Sequence, residues 1–136
     1  MPQIDRAFVA VGLACLIIGM LLGFYMGVRG DNMLLTVHVA ILLTGFLVLT
    51  LYGVIYRLWP EMKSSALANV QFWTAVAGAA GIIAGTVQIA LGGGVVTAAA
   101  GSVLAIVGAL LMGWLFLFAT AGETQRETIP RARNAL

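Results

Sequence analysis

Thr36 to Pro60 reads "TVHVAILLTGFLVLTLYGVIYRLWP". Apart from Arg57 near its end the run carries no charge, and it holds the only histidine of the chain, His38, as its third residue. About 20 helical residues cross a hydrocarbon core roughly 30 Å thick, so this stretch is long enough to span a bilayer. Three other runs share its character, and together they give helices at about Ala7–Val28, Leu34–Trp59, Val70–Leu91 and Val95–Ala119. The last two are separated by "GGG" (Gly92–Gly94), a permissive tight turn. Uninterrupted apolar runs of this length point to helices rather than to the alternating strands of a barrel. The 136 residues are 62% hydrophobic and 9% charged, with mean hydropathy +1.07. A water-soluble domain of this size needs far more polar surface. The expected fold is an all-α membrane protein: one four-helix transmembrane domain over residues 1–122, followed by a polar tail over 123–136.

Loop charges set the expected orientation. Arg6, Arg57, Lys63, Arg126, Arg131 and Arg133 fall at the N-terminus, the second loop and the tail, against Arg29 alone in the first loop beside Asp31. This asymmetry places both termini and the second loop in the cytoplasm, with Tyr52, Tyr56, Trp59 and Trp73 near that interface. The tail's basic residues serve topology rather than nucleic-acid binding. The first run is too long for a signal h-region and lacks a small-x-small cleavage site, so it reads as a retained helix. Cys15 is the only cysteine, which excludes an intrachain disulfide or a cysteine cluster and leaves a small packing residue.

Lipid offers no hydrophobic drive between helices, so close packing of small residues has to supply it. Gly19, Gly23 and Gly27 form one four-residue stripe, Ala77, Gly81 and Gly85 a second, and Gly101, Ala105, Ala109 and Gly113 a third. Such stripes serve tight packing, or leave room for a flat cofactor. On the second helix His38, Leu42, Gly45, Leu49, Tyr52 and Tyr56 fall on one face at four- and three-residue steps. His38 lies roughly 6 Å inward from the outer end, at about 1.5 Å per residue. Gln88, one turn from the outer end of the third helix, shares that depth with Thr86, Thr97 and Ser102, which suggests an outer polar layer.

Arg57 stands at the end of its run, and the remaining length of the four spans holds no Asp, Glu, Lys or Arg. Ion-coupled exporters and proton pumps need such groups inside the membrane. Hydrolysis and phosphoryl transfer also lack their residue sets: there is no Ser/His/Asp trio, phosphate-binding glycine loop or HExxH. A neutral imidazole in an apolar setting remains. It can ligate a metal, haem iron being best suited to a greasy site, or it can be satisfied by Gln88, a carbonyl or water.

The stretch "HVAILLTGFLVLTLYGVIYRLWPEM" (His38–Met62) resembles the histidine-bearing helices of haem-copper oxidase catalytic subunits, in particular the C-family oxidases and nitric-oxide reductases. Those helices open with His-x-His, have a glycine seven residues after the first histidine, and close in "GxxYRLxP"-like text. His38, Gly45 and "YGVIYRLWP" (Tyr52–Pro60) match that pattern; "GMLLGFYMG" (Gly19–Gly27) and "NVQFWTAVAGAAGIIAG" (Asn69–Gly85) resemble the flanking helices. The resemblance covers about two-thirds of the chain. Ala40 stands where the second histidine would be, so a complete oxygen- or NO-reducing centre cannot be built from one chain.

The family's catalytic subunit has three four-helix arcs in approximate threefold symmetry, with ligand histidines at the outer ends of second helices, and this chain resembles one arc. The resemblance implies a haem b-binding protein of the bacterial inner membrane with His38 as axial ligand, acting in electron transfer or in redox or gas sensing. A homotrimer would restore twelve helices, and a respiratory-chain partner would be expected. On this reading Gly45 makes room for the macrocycle, Gln88 orients the imidazole and Arg29 pairs with propionates. The alternatives are a cofactor-free structural or assembly subunit of a respiratory complex, or copper or zinc held by His38 side chains from several protomers.

Overall fold

The computed structural model describes residues 3–119; the expected tail over 123–136 lies outside them. Four helices, α1 (Ile4–Arg29), α2 (Leu35–Leu58), α3 (Ala66–Ala90) and α4 (Val96–Ala119), are long and apolar enough to cross a membrane. No strand occurs among the described residues.

The helix ends extend past the apolar runs where polar residues make the first turn. α1 takes in Asp5 and Arg6, and α3 starts at Ala66 because the Ser65 hydroxyl accepts a hydrogen bond from the Leu67 amide at 3.2 Å, capping an otherwise unpaired donor. Gly30 stops α1 in the left-handed region (φ 65°). Pro60 stops α2, forcing Trp59 out of helical geometry, and the chain turns through a short 3₁₀ segment, Pro60–Ser64. Gly92, at φ 81°, makes the tight return into α4.

Helices adjacent in sequence pack on one another, most closely α1 on α2 and α3 on α4. The α1–α2 seam is an antiparallel ladder of side chains set over glycines. Val9 and Phe8 meet Gly53, Thr50 meets Gly12, Cys15 meets Gly45, Leu42 and Ile41 meet Gly19, and His38 meets Gly23. The α3–α4 seam brings backbone to backbone: Gly78 faces Ala105, Gly81 faces Gly101, Gly85 faces Ala98, and Gly108 faces Ala75. Close approach of this kind lets dispersion hold helices together where water is absent. The stripes expected from four-residue spacing are therefore used in part. Gly19, Gly23, Gly81, Gly85, Gly101 and Ala105 lie in the seams, Gly78 replaces the exposed Ala77, and Gly27 and Gly113 face open space.

Within α2, residues Ile41–Val48 form a π-helical stretch, and the Thr44 hydroxyl donates to the Ala40 carbonyl at 2.7 Å. Four residues advance a little more than one α turn but less than one π turn. Ile41, Gly45, Leu49 and Gly53 can thus all stay buried at four-residue steps.

Candidate functional site

His38 sits on the α1-facing side of α2, three residues into the helix. A Cβ at position 23 would lie 2.8 Å from its Cε1 atom, so the imidazole occupies the space that Gly23 leaves empty. Its Nδ1 is 2.9 Å from the Gly19 carbonyl. A carbonyl only accepts, so Nδ1 carries the proton and in the neutral ring the lone pair is on Nε2. No hydrogen bond to Nε2 occurs among the described residues. Metal-ligating histidines are commonly held this way, with one ring nitrogen fixed by a carbonyl and the other free to ligate. No cluster of three or more His, Cys, Asp or Glu side chains able to hold a metal occurs among the described residues.

The other expected site residues do not converge on His38. Gly45 shares the α1-facing side, but the space above it is filled by Cys15, whose Sγ is 2.7 Å from where a Cβ would stand, and by Ile83 of α3. Gln88 is exposed beside the α3–α4 turn, where it lines a surface recess with Gly93 and Thr97, and its backbone carbonyl accepts from the Gly93 amide at 2.7 Å. The imidazole is oriented instead by the hydrogen bond that Nδ1–H donates to the Gly19 carbonyl. Arg29 is exposed at the end of α1, its guanidinium 5.5 Å from the Tyr25 ring centroid. The Thr86 and Ser102 hydroxyls donate to Ile83 and Ala98 of their own helices rather than forming a shared layer. Two apolar clefts open between helices nearer the middle of the spans. One, of about 270 Å³, lies among α2, α3 and α4 around Tyr52 and Ala79; the other, of about 310 Å³, lies among α1, α2 and α3 around Cys15 and Ala80. His38 lines neither.

A second polar group, at the opposite end, had no place in the sequence reading. Asp5 is only 5% exposed and lies 3.1 Å from Lys63 Nζ and 3.4 Å from Arg57 Nη1. Nearby, the fully buried Gln71 accepts from the Tyr56 hydroxyl at 3.2 Å and donates to the Gly108 carbonyl at 3.4 Å, tying α2, α3 and α4 together. Phe8 packs among Tyr52, Tyr56 and Phe72, with ring centroids 5.8, 5.9 and 4.7 Å away. The available signal was Gln71 itself, an amide within a transmembrane run that demands a partner. Asp5 gave less warning, because a charge at a helix end reads as solvated.

No family model, curated protein or solved structure matches this chain.

Proposed function

We propose that this is a multi-pass protein of the bacterial cytoplasmic membrane, with both termini cytoplasmic, that binds haem b through His38 and acts in electron transfer or in redox or gas sensing. It is a single-arc relative of haem-copper oxidase subunit I and works as a homo-oligomer, a trimer by analogy with the three arcs. The observation that carries the reading is the His38 seat: Nδ1–H held by the Gly19 carbonyl, the ring lodged at Gly23, and Nε2 without a hydrogen-bond partner among the described residues.

The donor fits an axial ligand, whereas the surrounding space of one chain does not enclose a macrocycle, because Cys15 and Ile83 fill the room at Gly45. The partly exposed imidazole therefore serves a site completed by a second copy. The exposed apolar faces of α1 (Ile17, Leu21, Phe24) and α4 (Ile106, Leu110, Leu117) offer lipid and neighbouring copies ample surface. A bound haem would supply reversible one-electron chemistry or gas ligation. The chain's own contribution is orientation: Gly19 fixes the tautomer, Gly23 fixes the ring plane, and exposed Arg29 is free to meet carboxylates at the outer surface.

Purification in mild detergent from haem-replete cells tests this directly. The expected product is red, with a Soret band that shifts on dithionite reduction and is lost in His38→Ala. A colourless preparation overturns haem binding, and undiminished haem in His38→Ala overturns the ligand. Native mass spectrometry should show a trimer; a stable monomer overturns the shared site. The filled space at Gly45 favours a second reading, a cofactor-free structural or assembly subunit. Metal analysis of a colourless sample separates that reading from copper or zinc held by several His38 side chains.

A further inference from the structure

The Asp5 cluster opens sideways onto a groove of about 400 Å³ between α1 and α2. Its polar end is lined by Asp5, Arg6 and Arg57, and its walls by Val9, Leu13 and Val54. Charge and depth are graded along it. Lys63, with its side chain 18% exposed, makes the shorter and more buried ion pair with Asp5; Arg57, 68% exposed, makes the longer one. Asp5, the one carboxylate lining the groove, is thus matched by Lys63, which leaves positive charge on Arg57 and on Arg6. Arg6 is exposed and has no ion pair among the described residues. Leu13 lies nearly two helical turns from Arg6, and Val54 nearly one turn from Arg57, both toward the middle of the span.

The geometry points to a binding groove for one anionic phospholipid, its phosphate held between Arg6 and Arg57 and an acyl chain lying along Val9, Leu13 and Val54. The cationic end stands at the helix ends, where headgroups lie, and the apolar walls begin where acyl chains begin, so one amphiphile satisfies both halves. Basic pockets between transmembrane helices recognise anionic headgroups in this way, and arginine forks suit phosphate oxygens. The inference needs only that the four helices span a bilayer; it is independent of haem and of the trimer.

Native mass spectrometry of the full chain, released from micelles doped with phosphatidylglycerol or phosphatidylcholine, tests it. Phosphatidylglycerol adducts should survive at higher collision energy and lower lipid concentration. Arg6→Gln, at an exposed unpaired position, should weaken phosphatidylglycerol binding by about fivefold. Arg6→Gln with Arg57→Gln should bring the two lipids level. Equal retention of both lipids by the unmodified chain overturns the proposal. So does unchanged preference in the double variant, provided its helical circular dichroism and thermal midpoint match those of the parent.

Discussion

The two ends of the bundle are built on different principles. At one end Phe8, Tyr56, Phe72 and Met62 form a buried aromatic and sulfur-rich knot, Gln71 bonds two other helices, and Lys63 covers Asp5. At the other end the only histidine leans on one backbone carbonyl and one glycine, while Met33, Leu35, Leu91, Val95 and Val96 of the two turns at that end stay exposed. The first end satisfies its buried polar groups within the chain, and the second leaves a ring nitrogen unspent. Packing that secures the fold at one end frees the other from that duty, and a half-satisfied polar group there is the place to look for chemistry.

Substitutions should separate the two ends by magnitude. Phe8→Ala removes the ring that three other aromatics pack against and should cost about 3–5 kcal/mol, read as a large fall in thermal midpoint in detergent; a fall of a degree or two would mean that the knot is not where stability resides. Gly85→Val would drive a branched side chain into the Ala98 backbone. It should cost about 1–3 kcal/mol and loosen α3 from α4, which cysteine crosslinking across that seam would detect. Asp5→Asn strips Lys63 of its charge partner. Because Lys63 keeps some exposure, the penalty should be about 2 kcal/mol, below that of a fully buried broken pair, and replacing Lys63 with Met in the same chain should recover part of it.

The histidine end should be cheap by comparison. His38→Ala loses one hydrogen bond to a carbonyl and should cost about 1 kcal/mol, within reach of denaturant titration, while abolishing whatever His38 binds. Gly23→Ala should act on the same property by displacing the ring. If either substitution destabilises the protein as much as Phe8→Ala, the division of labour between the ends is wrong.

The spans were legible because an apolar run of bilayer length needs no tertiary information. Which face of each span is buried was not legible, for a physical reason: a helix apolar on all sides carries no amphipathic stripe to read. Four-residue spacing therefore chose Ala77 where the backbone uses Gly78, and extended the last stripe to Ala109 and Gly113 where the seam runs through Gly108. His38 stood out by its rarity, but its partner did not, since the Gly19 carbonyl is a backbone group with no letter of its own. Equal depth nominated Gln88; geometry chose a helix that equal depth had not brought into play. Asp5 carried no sign of its place, because a charge at a solvated helix end and one folded under Lys63 read alike in sequence.

The π stretch of α2 gives the imidazole a dependence on chain length. A π turn accommodates a residue that an α turn would not, as a single-residue insertion into a regular helix would require. Ile41–Val48 lies between His38 and the buried residues Leu49, Gly53 and Tyr56. With the same residues wound as regular α-helix throughout, the His38 half of α2 would be rotated by about 100° relative to the half that carries Gly53, taking His38 off Gly23 without altering a single side chain of the site. The bearing of that ring is set by a count of residues along the helix as much as by the chemistry of its neighbours.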